Sequence, residues 1–306
     1  MAVYDRSYAR WDGDKTRPVR AAPVIAAAGI RKGTAIIFRR KLIAVGLTIA
    51  AFGPFVAALL FMYFRYYLLV NIVDYPQFEE FVTSDEVRTM TTVNPELLFF
   101  YLGRMQWIFV FLACLMVGAG LISEDRRANA LELYLSRPVT VAQYVLGKFM
   151  TIAFFIGLVT VVPAVLLVLA QVSLSWSEPG EFGRLLELLP RTLAAGAAYI
   201  LVPSLVVLGA SSLALKARNA AVGFVAFLLL LEGPVSNILR EVFHNDHFWL
   251  LSFRHNLGQV VAALLGYGEY ALETVPVWQS AAVLAGWSGL CLFLLLRRVR
   301  PVEIVG

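Results

Sequence analysis

The sequence predicts an all-α integral membrane protein with six transmembrane helices and both ends in the cytoplasm. Three observations carry this. The chain of 306 residues is 59% hydrophobic and only 15% charged, against about half and about a quarter in soluble domains. Six apolar runs approach or exceed the roughly 20 residues that a spanning helix needs. Lysine and arginine fall on one side of the topology those runs define, as cytoplasmic segments require.

The N-terminal segment, residues 1–41, is cytoplasmic in this topology and holds ten Lys/Arg. It is too long and too charged for a secretory leader. Within it, Pro23–Lys41 sets Ile25, Ile30, Ile36 and Ile37 among Arg31, Lys32, Arg39, Arg40 and Lys41. That pattern predicts an amphipathic helix in the inner interface, leading into the first span. Residues 1–20 are expected to be loosely ordered.

One transmembrane domain follows over 42–298, with spans near 42–64, 103–122, 148–173, 192–215, 219–239 and 275–296, and a cytoplasmic tail over 299–306. The fifth run is interrupted only by Glu232. Pro54, Pro163 and Pro203 lie inside runs, which membrane helices tolerate because neighbours re-satisfy the freed carbonyl. Aromatic residues mark the ends: Tyr63, Tyr66, Tyr67, Tyr101, Trp107, Trp176 and Trp278. With the N-terminus inside, cytoplasmic segments hold all but seven of the 26 Lys/Arg. Asp74, Glu79, Glu80, Asp85, Glu86 and Glu96 fall in the first outer loop. The net charge of +5 therefore reflects topology and contact with anionic lipid, not nucleic-acid binding. That outer loop, roughly 65–100, is long enough for a helix of its own. Asn256–Gly268 is apolar but too short to cross, and predicts a re-entrant or interfacial segment beyond a fifth span broken at Glu232-Gly233-Pro234.

The stretch joining spans two and three, Gly120–Lys148, carries the most information. Ser123 is placed as a helix cap, with Glu124 and Asp125 in the first turn. Asp125, Asn129, Glu132 and Ser136 share one face, and Ala128, Leu131, Tyr134 and Leu135 the other, so that a short amphipathic helix is expected over 124–138, stopped by Pro138. Thr140-Val141-Ala142-Gln143 reads as a capping box opening the third span. A connector that merely lies on lipid is usually cationic. This one mixes Glu124, Asp125 and Glu132 with Arg126, Arg127 and Arg137, which suits docking to a protein equally well.

The arrangement resembles the membrane subunits of type-2 ABC exporters. The likeness rests on Gly118 and Gly120 at the end of the second span, the charged stretch Glu124 to Arg127, and the leucine-rich Leu131 to Leu135. It continues in the turn Ser136-Arg137-Pro138 and the pair Gly147-Lys148. In that family the helix between spans two and three is a coupling helix seated on the ATPase. The resemblance implies Glu124, Asp125, Arg126, Arg127, Asn129, Glu132, Ser136 and Arg137 as contacts to an ATP-binding cassette subunit. It also implies a second permease copy, ATP and Mg on the partner rather than on this chain, and a bacterial inner membrane.

No catalytic residue is expected. Gly147-Lys148 is followed by Phe149 and lacks the upstream glycine of a phosphate-binding loop. The H-E-x-x-H and G-x-S-x-G patterns do not occur. Cys114 and Cys291 sit singly in apolar runs. His244 and His247, near Asp246 and His255, read as interfacial polar residues rather than a metal site. Glu232 is a candidate for a substrate pathway, since intramembrane charge is costly, or else ends a helix beside Gly233-Pro234. The competing class is a membrane enzyme acting on lipid, centred on Glu232, His244, Asp246 and His247. A membrane anchor for a partner complex is the third.

Overall fold

The computed structural model describes residues 21–39, 41–71, 84, 93–130, 139–174, 181–230, 235–268 and 275–299. Glu132, Ser136, Arg137 and Glu232 lie outside the described residues, as do 1–20 and most of the first outer loop.

The described residues are helical, with no strand among them. Helix α1 is Ala21–Phe38 and α2 is Lys41–Asn71. The rod α3 is built from Pro95–Phe99, Phe100–Met105, Trp107–Ala113, Cys114–Gly118 and Gly120–Arg127, the second and fourth pieces being wide π turns. Then come α4 (Val141–Val159), α5 (Val161–Leu174), α6 (Glu181–Leu213), α7 (Ala217–Leu230) and α8 (Ser236–Phe243). A 3-10 turn at Asp246–Leu251 leads to α9 (Phe253–Leu265) and α10 (Val277–Arg298).

Six helices are long and apolar enough to cross a membrane: Ala21–Phe38, Ala44–Phe64, Leu97–Arg127, Val141–Val159, Leu186–Leu213 and Val277–Arg298. The chain is thus an all-α integral membrane protein. The number equals the expectation but the membership differs. By length α1 qualifies, whereas α7, the expected fifth span, has 14 residues. The expected third span divides at Thr160 into α4 and α5. Pro163 explains the break, because it has no N–H for Val159 and its ring crowds that carbonyl.

Helix α6 is the hub, packed against α3, α4, α5, α7, α9 and α10. Tyr144, Tyr199, Phe224, Phe253, Ile152 and Leu208 are fully buried around it. Lipid removes the usual hydrophobic drive between helices, so close approach through small residues takes over. Helix α1 illustrates this. It runs parallel to α4 and meets it in step, Ile25 at Gly147, Gly29 at Thr151 and Gly33 at Phe155. A Cβ on Gly147 would lie 2.8 Å from the Ala22 carbonyl oxygen. The sequence assigns α1 to the interface through its Ile/Arg pattern. Its buried face is the stripe Ala22, Ile25, Ala26, Gly29 and Gly33, laid along α4.

Candidate functional site

The end of α3 departs from its sequence expectation. Ser123 does not cap a new helix. It is buried inside the continuing rod and donates to the Ala119 carbonyl four residues back, at 2.8 Å. The switch to charged residues after Ile122 marks the end of an apolar surface, not of the helix, which runs to Arg127. Asn129 then takes a left-handed backbone, φ 52°, a conformation asparagine tolerates and one that ends helices. The helix expected over 124–138 does not begin at Glu124: the rod carries on to Arg127 and the chain turns at Ala128 and Asn129, while 131–138 lie outside the described residues.

The π turn at Cys114–Gly118 disrupts the helical ladder, leaving N–H groups to be satisfied where the helix restarts. Ser211 of α6 supplies the cap. Its hydroxyl accepts from the N–H of Ile122 and of Ser123, both at 3.1 Å, and donates to the Ala119 carbonyl at 2.8 Å. Gly118 lets α6 come this close; a Cβ there would sit 2.8 Å from Val207.

Three charged residues of the expected partner contact are engaged within the chain. Asp125 accepts from Lys148 at 2.6 Å and from the Tyr144 hydroxyl at 2.8 Å, and the ion pair is nearly sealed, with 15% and 8% of the side chains exposed. Arg126 donates to the carbonyls of Ser212 and Ala214 at the foot of α6. Glu124 pairs with Lys32 of α1 at 2.6 Å in a more open setting, 38% and 58% exposed. Arg127 and Asn129 are exposed. One face of the rod is thus tied to α1, α4 and α6, while Arg127 and Asn129 point away. Sequence reasoning could have found the Asp125–Lys148 pair by asking what compensates a lysine so near the apolar start of α4. It could not have found Ser211, an ordinary serine in an apolar run. The capping box opening α4 is present, with Gln143 N–H on the Thr140 hydroxyl at 3.2 Å and Thr140 N–H on the Gln143 side chain at 3.1 Å.

At the other end the histidines separate. His244 terminates α8 with a left-handed backbone, His247 meets the Asn245 side chain at 3.0 Å, and His255 stacks on Trp249 at 4.6 Å. Arg240, Glu241, His244 and Asp246 line an open cleft of about 540 Å³ that His255 does not join. Among the described residues no three His, Cys, Asp or Glu side chains group as metal ligands would.

Six helices long and apolar enough to cross a membrane define a multi-pass α-helical membrane protein. The chain belongs to the ABC-2 family transporter proteins, whose family model matches residues 34–287. No curated relative matches the sequence. The family makes this chain a membrane permease subunit of an ABC transporter, a part that is not itself catalytic.

Proposed function

We propose that this permease works as an exporter subunit driven by ATP hydrolysis in a separate nucleotide-binding chain. Two permease copies, identical or not, pair with two ATPases that hold the ATP and Mg. Both termini face the cytoplasm of a bacterial inner membrane. The observation that carries this reading is the anchoring of the α3 foot. A push on the loop after Arg127 reaches α1, α4 and α6 together, through Lys32, Lys148 and Ser211, because the ties are short and mostly buried.

In this reading the partner contact falls on Arg127, Asn129, Glu132, Ser136 and Arg137, while Glu124, Asp125 and Arg126 relay the stroke into the bundle. The charge asymmetry of the loops supports the orientation. Glu232 remains the proposed pathway carboxylate.

The test is purification of the tagged chain in mild detergent from its native membrane, with mass spectrometry of what accompanies it. A soluble chain bearing a phosphate-binding loop is expected, lost in the pair Glu132→Lys and Arg137→Glu but retained in Lys32→Gln. Recovery of the chain with no ATPase, or of an ATPase indifferent to the reversal, overturns the reading.

A further inference from the structure

An open apolar groove of about 620 Å³ lies between α6, α7 and α10, at the same end of the bundle as Arg126, which reaches Ser212 and Ala214 beside it. That volume is typical of a small-molecule site. Its α10 wall is a single helical stripe, Trp287, Leu290, Cys291 and Leu294, at the spacing that shares one face. One further turn along that face brings Arg297 and Arg298, both exposed. From the opposite side the α6–α7 connection places Leu215 in the groove, with exposed Lys216 and Arg218 around it.

These four cations meet no carboxylate among the described residues. No Asp or Glu occurs in 206–230 or in 284–299. The carboxylates at this end of α3, Glu124 and Asp125, are held by Lys32 and Lys148. An apolar slot at the membrane edge, with a cationic collar that no described carboxylate compensates, calls for an amphiphile with an anionic head.

We infer that the groove binds one anionic phospholipid, an acyl chain along Trp287 and Leu290 and the phosphate on Lys216, Arg218, Arg297 and Arg298. Basic pockets between spanning helices bind such headgroups. A zwitterionic lipid would fill the slot equally well but bring no net charge to the collar. The floor is open, for a Cβ on Gly223 would meet nothing within 4 Å. Trp287 stands edge-on to Phe227, ring centroids 4.8 Å apart, so the chain would lie directly against an indole. The inference requires a membrane-spanning chain but neither an ATPase nor an export direction. That the leaflet is the cytoplasmic one follows from the Lys/Arg distribution alone.

The test reconstitutes the full chain in phosphatidylcholine bilayers doped with phosphatidylglycerol or phosphatidylcholine carrying brominated acyl chains. Tryptophan fluorescence is read, and the Trp287→Phe variant is subtracted to isolate one of the six indoles. Brominated phosphatidylglycerol should quench Trp287 at mole fractions where brominated phosphatidylcholine does not. The combined substitution of Lys216, Arg218, Arg297 and Arg298 by Gln should weaken that preference by about tenfold or more. Gly223→Leu, whose Cβ enters open space and whose side chain extends into the groove, should abolish the quenching while leaving the melting temperature in place. Equal quenching by both lipids means ordinary surrounding lipid and overturns the site. So does a preference that survives the four Gln substitutions, or a Trp287 shielded from both lipids by a second copy cross-linked across the groove.

Discussion

The two ends of this bundle are held by different chemistry. At the base of α3, helices join through ions: Lys148 on Asp125, Lys32 on Glu124, and Arg126 on the carbonyls that end α6. At the far end they join mainly through neutral amides and rings, with no ion pair between helices there among the described residues. Gln259 donates to the Val275 carbonyl at 2.8 Å and accepts from Ser280, Asn256 donates to the Leu250 carbonyl at 2.7 Å, and Trp249 touches both His255 and the Arg240 guanidinium. An ionic junction is strong in one geometry and costly when a partner is lost. A neutral junction gives less and loses less. The contrast suits a molecule whose base transmits a displacement while its far end holds shape.

Removing one half of the buried pair should give the largest effect. Lys148→Met leaves Asp125 charged and enclosed, and such a loss costs about 3–5 kcal/mol. Removing both charges, Lys148→Met with Asp125→Leu, should recover most of that, because the desolvation disappears with the pair. The exposed Lys32–Glu124 pair lies on the same rod, yet Lys32→Gln should cost less than about 1 kcal/mol. Thermal unfolding in detergent, arranged as a double-mutant cycle, measures all three. Equal effects for Lys148→Met and Lys32→Gln would remove the distinction drawn between the sealed and the open tie.

At the neutral end a smaller loss is expected. Gln259 is buried, and Gln259→Leu strands the Val275 carbonyl and the Ser280 hydroxyl, worth about 1–3 kcal/mol. Because no charge is left behind, added salt should not alter the cost. A salt-sensitive loss there would show that the far end also depends on ions.

What the sequence disclosed follows the same division. The apolar runs declared the helices, since lipid demands about 20 uncharged residues whatever the neighbours are. Thr140 and Gln143 declared the start of α4, because a capping box is complete within four residues. Errors arose where a distant residue decided the outcome. Ser123 looks like a cap by sequence, but Ser211, 88 residues away, takes that duty and Ser123 stays inside the rod. The Ile/Arg pattern of α1 disclosed a helix but not which face packs, and Gly147 and Thr151 of α4 select the small-residue one. Glu124 and Asp125 read as partner contacts, and nothing local announced that Lys32 and Lys148 come within 2.6 Å of them. Pairing across the bundle leaves no local trace, so the identity of the charged residues was legible and their direction was not.

The last predicted effect is silent near neutral pH, emerges only in acid, and separates the ends most cleanly. His255 lies on a helix too short to cross, packed against Trp249, and burial lowers its pKa from the ordinary 6.5 to about 4. The unfolded chain therefore binds a proton more readily than the folded one between those values, and stability must rise with pH across that window. The contribution is complete above about pH 6.5 and is lost as pH falls toward 4. Arg240, 5.0 Å from the centre of the Trp249 ring, adds a fixed positive charge, which opposes a second cation there. His255→Gln should accordingly flatten the pH dependence of the melting temperature between pH 6.5 and 4 while leaving the value at pH 8 nearly unchanged. Parallel curves for the variant and the parent would place the acid sensitivity elsewhere.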